Sequence, residues 1–264
     1  MHPTTSCQQR WLIFTIYSRT TGLLNHFFRH YRDTGFTDCV IAVHERCSRD
    51  DVRAAARQAD GLRVRIVPCY RGAHHAEKDA ALVNWLRVQL IPDPGEWAAW
   101  ADIDEFYEYP MPPAQISRLA PRRTSIIGYY IDQLAADGSL PTVDPVRPLA
   151  DQFPVPTRLR RSLGCCDRKV MMFRGLKPLR AGHHRVSGGN PHPLTGVVRH
   201  YPFSRGVTAA IGQRHRFRQL TGSNPVPSAL QRFLHDWEAK GRIDPEAFRP
   251  PEDIPTLPSN DSSR

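Results

Sequence analysis

An acidic cluster interrupts a basic chain at the end of an apolar run. The segment EWAAWADIDEFYEYP, residues 96–110, carries Asp102, Asp104 and Glu105 directly after a Trp-rich stretch. Carboxylates this close repel one another, so a positive partner or bulk water must offset their charge. A metal ion, a basic side chain and plain solvent are the three candidates.

The spacing of the two aspartates favours a shared ligand if the segment continues as a strand. Side chains of an extended strand alternate between its faces, so Asp102 and Asp104 would point the same way while Ile103 packs inwards. Paired carboxylates suit hard cations such as Mg²⁺ or Mn²⁺, which often bridge to substrate phosphates. The plain alternative is a solvated acidic turn, because a D-x-D triplet also recurs by accident.

The first hundred residues alternate between short apolar runs and helical segments. The pattern predicts strands at residues 10–18, 38–45, 63–70 and 97–106, with helices at 21–35, 48–60 and 77–91. Such alternation is typical of an α/β fold whose sheet is mostly parallel and flanked by helices. Ligands of open α/β sheets bind beyond the carboxyl ends of the strands. The acidic cluster and Glu45 both fall at that edge.

The pattern changes after Pro110. Strands are predicted at residues 124–132, 169–175 and 196–203, separated by Pro-rich loops, and a helix at 205–220 follows them. The segment from residue 244 is rich in Pro and Ser and reads as a tail. We expect one domain with two halves, residues 1–110 and a smaller mixed region at 111–243, and a tail at 244–264.

The net charge, the cysteines and the apolar runs of the chain indicate which partners and which location to expect. The 264 residues carry a formal charge of +10, which favours anionic partners such as nucleotide diphosphates, nucleic acid or an acidic membrane surface. The six cysteines lack C-x-x-C spacing and read as reduced thiols. No apolar run approaches the roughly 20 residues that a membrane span needs. We therefore expect a cytoplasmic protein, or one peripheral to the inner face of the membrane.

Several blocks resemble, in order, those of the bacterial glycosyltransferases with a GT-A (Rossmann-like) fold of the family-two-like type. The acidic segment resembles their EW…D-x-D-E-F block, and the similar stretches are SRTTGLLNHFFRHYRDTGFTDCVIAVHERCSRDD, HHAEKDAALVNWL, YYIDQLAADGSL with DQFPV, KVMMFRG…AGHHRV and VVRHYPFSRG. The resemblance covers residues 10–215. It implies metal-dependent sugar transfer from a UDP- or GDP-type nucleotide-sugar, bound by residues 1–110, to a carbohydrate or lipid-linked acceptor bound by residues 111–243.

The resemblance also implies a set of metal ligands. Asp102 and Asp104 would hold Mn²⁺ or Mg²⁺, and Asp102 would contact the donor as well. In such enzymes a histidine from the C-terminal part often completes the metal site, and His200 in the RHYPF block is the first choice. His184, with His183 beside it, ranks second. A lone histidine is more often a hydrogen-bonded core or surface residue than a ligand.

Donor contacts are predicted at three further positions. Arg19 follows the first strand, and Glu45 follows the second, where this fold places an acid near the base or ribose. The family more often has an Asp-Asn-like pair there, so Asp50 and Asp51 compete with Glu45 and could instead cap a helix. Lys78 starts its helix, where the dipole does not favour a cation, which suggests a phosphate-facing role.

The general base of an inverting transferase is usually a carboxylate. Asp132, at the end of the strand predicted at 124–132, is the leading candidate, with Asp151 and Asp167 behind it. The family often has Asp-Arg where this chain has Asp132 and Gln133, and a retaining mechanism stays open. Glu105 is predicted to support the metal ligands or to orient an acceptor hydroxyl.

Three other classes compete with a glycosyltransferase. A nucleotidyltransferase shares the sheet and the metal chemistry, but should carry a Gly-rich basic loop after the first strand, where YSRTTG has only Gly22. A nucleic-acid enzyme or binder would use the Arg-rich tracts at residues 158–161 and 214–218, yet these are dispersed and no further carboxylates converge by spacing. A protein without enzymatic activity is the third, and we expect no nucleic acid partner.

Overall fold

The computed structural model of the chain describes most of the first 204 residues and two short segments beyond them. The described residues are 10–18, 22–72, 75–91, 93, 95–119, 124–174, 178–180, 182, 184–186, 188–204, 233 and 237–248. Arg19, His183, the helix predicted at 205–220 and the tail from residue 249 lie outside the described residues. The statements below refer to the described part of the chain.

Four parallel strands form the first half of the sheet. They are β1 (Leu12–Tyr17), β2 (Asp38–Val43), β3 (Arg63–Pro68) and β4 (Trp97–Trp100). Their order is β3-β2-β1-β4, and every adjacent pair is parallel. β1, β2 and β4 are buried throughout, as strands covered on both faces must be. The predicted α/β fold is confirmed.

Three helices connect these strands. They are α1 (Leu24–Asp33), α2 (Arg49–Arg57) and α3 (Ala76–Leu90). α1 ends before Gly35, whose φ of 98° is a left-handed conformation that glycine adopts without strain. α2 begins after Ser48, whose hydroxyl accepts the backbone N–H of Asp51. Gly35 therefore sets the end of α1, and Ser48 sets the start of α2.

The second half of the sheet mixes strand directions. It contains β5 (Glu105–Glu108), β6 (Ser125–Leu134), β7 (Val155–Thr157), β8 (Arg168–Arg174) and β9 (Pro191–His200). The order continues from β4 as β8-β6-β9-β5, and β7 pairs with β6. The β6–β9 pairing is parallel and the others are antiparallel. Short helices α4 (Pro113–Leu119), α5 (Leu149–Gln152) and α6 (Leu159–Ser162) lie between these strands.

The acidic segment is a turn and not the end of a continuous strand. β4 stops at Trp100, and the backbone N–H of Glu105 donates to the carbonyl of Asp102 at 3.0 Å. β5 then starts at Glu105 and pairs with β9, on the far side of the sheet from β4. The strand predicted over residues 97–106 is therefore two strands. The alternation that would place Asp102 and Asp104 on one face does not apply, because the chain changes direction between them.

Candidate functional site

Strand pairing aligns an acidic residue, a histidine and a second acid across the sheet. In the β5–β9 pair Glu105 lies opposite His200, and in the β6–β9 pair Asp132 lies opposite His200. The turn that carries Asp102 and Asp104 immediately precedes Glu105. Residues separated by up to about 100 positions in the chain are thus brought to one end of the central strands.

Glu105 is the buried centre of this end of the sheet. One carboxylate oxygen accepts from Lys169 Nζ at 2.8 Å and from the Tyr130 hydroxyl at 2.5 Å. The other accepts the backbone N–H of Asp102 at 3.0 Å and the Tyr107 hydroxyl at 3.3 Å. Only 2% of the side chain is exposed. These bonds hold the acidic turn in place, which favours the predicted role in supporting the metal ligands over the one beside an acceptor hydroxyl; both stay predictions.

Lys169 supplies the positive charge among the acids. Its Nζ also lies 3.3 Å from an oxygen of Asp102, and 1% of its side chain is exposed. The Asp102 side chain, by contrast, is 49% exposed. Of the three candidates for offsetting the cluster, a basic side chain is present for Asp102 and Glu105. The lysine orients Asp102 while leaving part of its carboxylate facing outwards.

Asp104 belongs to a different set of contacts from Asp102. Its Oδ2 lies 3.9 Å from Nε2 of His200, and Nδ1 of the same ring donates to Oδ1 of Asp132 at 2.7 Å. A carboxylate accepts and does not donate, so the Asp132 contact places the proton on Nδ1 and leaves Nε2 towards Asp104. The result is a chain from Asp132 through His200 to Asp104.

Asp132 lies at the closed end of that chain. Its side chain has no exposed surface, and its second oxygen accepts the backbone N–H of Arg160 at 2.8 Å. This enclosure favours a role in orienting His200, and the predicted role of Asp132 as general base stays a prediction. Of the other two candidates, Asp151 is exposed in α5. Asp167 precedes β8; its carbonyl accepts the backbone N–H of Tyr130 at 3.0 Å, and its carboxylate lies 3.9 Å from Arg161.

Asp104 and His200 supply part of the set of ligands that a divalent metal needs. Metal-binding histidines commonly donate their second ring nitrogen to a carboxylate, which is the arrangement of His200 and Asp132. Within the described residues, no three His, Cys, Asp or Glu side chains converge closely enough to hold a metal. Mg²⁺ is often held by one or two protein ligands, with water and substrate phosphates completing its shell. The metal therefore stays a prediction, with Asp104 and His200 as its best-placed ligands.

His184 lies close to this group on the other side of Lys169. Its Nδ1 donates to the carbonyl of Arg168 at 2.5 Å, which leaves Nε2 as an acceptor. Burial lowers the pKa of His184 to about 4; the Arg168 carbonyl opposes this, and the charges of Lys169 and Arg160 add to it. The ring is thus neutral at pH 7. A neutral imidazole whose Nε2 lone pair is not used by the Arg168 contact is compatible with the second-ranked ligand role, which stays a prediction.

The residues predicted to contact the nucleotide form a second group, after β2 and β3. The backbone N–H of Gly72 donates to Glu45 at 3.3 Å, and Lys78 Nζ lies 5.5 Å from the centre of the Tyr70 ring. The Tyr70 hydroxyl donates to Asp79 at 2.6 Å. Glu45 and Lys78 therefore flank one loop at the carboxyl edge of the parallel strands, and their donor contacts stay predictions.

The two acids that compete with Glu45 have local roles in α2. The backbone N–H of Asp51 bonds to the Ser48 cap, and Asp50 pairs with Arg53 one turn later. Both contacts are typical of a helix start, where negative charge is favourable. This favours the capping interpretation that the sequence left open.

Three residues that contact this group were not predicted from the sequence: Lys169, Tyr130 and Arg160. The signal for Lys169 was a single charge at the start of the apolar run KVMMFRG. A lysine that opens a buried strand needs an acidic partner, and the acidic cluster was the available one. Tyr130 and Arg160 carried no comparable signal, because aromatic residues in strands and arginines in loops are common.

Comparisons with known proteins add little beyond this geometry. No family model and no curated protein matches the sequence. Similar solved structures include 4-diphosphocytidyl-2C-methyl-D-erythritol synthase, at 15% identity and a TM-score of 0.35 over 63% of this chain and 76% of that one.

Two further solved structures have similar TM-scores and identities. HddC from Yersinia pseudotuberculosis has 8% identity and a TM-score of 0.33, over 63% of this chain and 74% of that one. A putative glucose-1-phosphate thymidylyltransferase from Bacillus anthracis has 8% identity and a TM-score of 0.32, over 64% and 72%. Scores this low carry no argument about activity, and membership of the family-two-like glycosyltransferases is not shown. The fold and site define an α/β protein with an acidic and basic cluster at one end of its sheet.

Proposed function

We propose that this protein is a metal-dependent transferase whose substrate or product is a nucleotide-activated sugar. The observation that carries the proposal is the chain Asp132–His200–Asp104, with the half-exposed Asp102 in the same turn. This group lies at the end of the sheet where α/β proteins bind ligands. The formal charge of +10 suits an anionic donor and an anionic leaving group.

Each residue has a distinct part in the proposed reaction. Asp104 and His200 would hold a divalent cation, which when bound would neutralise charge on the phosphates. Asp132 fixes the ring of His200, and Lys169 orients Asp102 towards the donor. The buried Glu105 holds the turn in place through its hydrogen bonds. Binding and orientation are thus divided between outward-facing and enclosed side chains.

Two reactions are compatible with this site. Sugar transfer from a UDP- or GDP-type nucleotide-sugar is the one that the resemblance of residues 10–215 favours, and it would release a nucleoside diphosphate. Nucleotidyl transfer from a nucleoside triphosphate to a sugar phosphate needs the same metal chemistry and would release pyrophosphate. One of the three solved structures named above is a putative thymidylyltransferase by name, but a likeness at that TM-score carries no argument. The products distinguish the two.

The test uses purified protein with Mn²⁺ or Mg²⁺. One arm supplies a panel of nucleotide-sugars with and without candidate acceptors, and the other supplies nucleoside triphosphates with hexose 1-phosphates. Asp104→Asn and His200→Asn should each lower the rate at least about 100-fold, because charge stabilisation at the phosphates is lost. Asp60→Asn is the matched control, since this exposed acid precedes β3 at the opposite edge of the sheet.

The role of Asp132 can be separated from that of a catalytic base. If it orients a metal ligand, Asp132→Asn should weaken Mn²⁺ binding about 10- to 100-fold, measured by electron paramagnetic resonance without substrate. A catalytic base would leave that affinity unchanged. Full activity of both the Asp104 and the His200 variants would contradict the proposed function.

A further inference from the structure

Arg160 is held against the site by both its backbone and its side chain. Its backbone N–H donates to Asp132, the carboxylate that orients His200, at 2.8 Å. Its guanidinium carbon lies 4.3 Å from the centre of the Tyr130 ring, and the Tyr130 hydroxyl donates to Glu105. The guanidinium is therefore stacked on an aromatic face that is itself fixed by the buried carboxylate.

Most N–H donors of the Arg160 guanidinium have no acceptor among the described residues. It carries five N–H donors, and in the described part of the chain only Nε–H has an acceptor, the carbonyl of Cys166 at 3.4 Å. None of the carboxylates that the structure describes forms an ion pair with it. Stacking on Tyr130 covers a face of the group and leaves its terminal nitrogens, which lie in the guanidinium plane, available at the edge.

The neighbouring Arg161 differs from Arg160 in its exposure and in its carboxylate partner. Arg161 points away with 63% of its side chain exposed, and it has a carboxylate partner in Asp167 at 3.9 Å. Arg160 is less exposed, has no such partner among the described residues, and lies over Tyr130. The tract RLRR thus contains a solvated arginine and a pre-positioned one, side by side.

The charge of Arg160 is secure at all accessible pH. Burial lowers the pKa of its guanidinium, but the nearby Tyr130, Asp132 and Glu105 raise it by more, so the pKa is above its usual range. The Glu105 charge is already balanced by Lys169 at 2.8 Å. An anion at the free edge of Arg160 would therefore not compete with a bound carboxylate.

We propose that Arg160 binds the phosphate group of the nucleotide substrate through the free edge of its guanidinium. A planar fork of N–H donors matches two oxygens of one phosphate, and stacking removes the cost of ordering the side chain on binding. The proposal deepens the proposed function and rests on it for the identity of the substrate. It adds a cation fixed in the protein to the divalent cation predicted at Asp104 and His200.

The test measures phosphate binding without the metal. Isothermal titration calorimetry with inorganic pyrophosphate, and separately with UDP and GDP, is done in EDTA on the wild type, Arg160→Gln, Arg160→Lys and Arg161→Gln. Arg160→Gln should weaken each ligand about 10- to 100-fold, because charge-assisted bonds are lost. Arg160→Lys should recover only part of this, since a lysine keeps the charge without the fork. Arg161→Gln should bind within about twofold of wild type, as exposed charges contribute little.

The variant should fold, because the backbone N–H of residue 160 still donates to Asp132 whatever its side chain; circular dichroism and thermal midpoint verify this. Equal affinity of Arg160→Gln and wild type, or no binding of any of the three ligands to wild type, overturns the inference. Pyrophosphate binding that depends on Arg160 in a protein without any transferase activity would sustain the inference and contradict the proposed function. Transferase activity in which Arg160→Gln leaves the KM for the donor unchanged would sustain the proposed function and overturn the inference about Arg160.

Discussion

At the scale of single residues, the members of the acidic cluster contact two different partners, a lysine and a histidine. Lys169 serves Asp102 and Glu105, whereas His200 faces Asp104. A buried lysine and a buried glutamate are each costly alone and tolerable as a pair with further hydrogen bonds. The cluster is therefore both a support for the fold and a candidate binding site, and the two roles belong to different members.

Replacing Lys169 with methionine should destabilise the protein. The substitution keeps the volume but leaves Glu105 buried without its cation, which costs about 3–5 kcal/mol. Urea unfolding at pH 7 measures the change, and the double variant Lys169→Met/Glu105→Gln should recover most of it because no unpaired charge is left. Lys78→Met, on an exposed position of α3, is the matched control and should change stability by less than about 0.5 kcal/mol. Equal midpoints for the Lys169 and Lys78 variants would contradict the buried pair.

The residue-level predictions from sequence were limited by what a linear pattern contains. The spacing of Asp102 and Asp104 marked the turn as a candidate site, and the strand-end histidine His200 lies 3.9 Å from Asp104. The sequence did not show that Asp132 would be enclosed, because its two partners come from β9 and α6. Burial of a polar side chain depends on contacts between distant segments, which period and spacing do not encode.

At the scale of elements, local signals predicted the parallel half well. Apolar runs placed β1–β3 and α1–α3 within a few residues of their observed bounds, and β4 begins where it was predicted, because each of these elements is specified by its own side chains. The turn at residues 101–104 was the alternative prediction and not the leading one, since nothing in WAAWADIDEF marks a reversal except the acids themselves. Only the pairing of β5 with β9, about 90 residues later, requires the chain to leave the β4 line there.

A glycine couples the turn after β6 to the C-terminal segment. Gly138 has a φ of 71°, and a Cβ added there would lie 1.7 Å from the carbonyl oxygen of Ile243, whose N–H donates to the Gly138 carbonyl. Gly138→Ala should cost well over the roughly 1 kcal/mol of backbone strain alone, because the backbone of residue 243 must move. Gly61→Ala is the control, with a φ of 90° and open space around its Cβ. Thermal unfolding of both variants measures the difference, and equal losses would show that the Ile243 contact is absent.

At the scale of the whole molecule, the sheet runs without a break through both predicted halves. The described strands form a nine-stranded sheet, and the parallel and mixed halves meet at the antiparallel β4–β8 pair. The largest apolar cluster includes Trp11 and Tyr31 from the first half with Met171 and Val198 from the second. No helix that the structure describes is long and apolar enough to cross a membrane. The division near residue 110 is thus one of sheet direction, and the sequence pattern detected it as a change in alternation.

A continuous sheet and a shared core should make the described halves unfold together. We expect one calorimetric transition whose calorimetric and van't Hoff enthalpies agree, with an enthalpy of about 0.7 kcal/mol per ordered residue near 60 °C. Val52→Ala in α2 and Leu134→Ala in β6 remove fully buried groups from separate apolar clusters. Each should lower the midpoint of that same transition, Leu134→Ala by more because a larger cavity is left. Two transitions, each shifted by only one of the variants, would mean that the halves are independent domains, and the site between β4, β6, β8 and β9 would then depend on their docking.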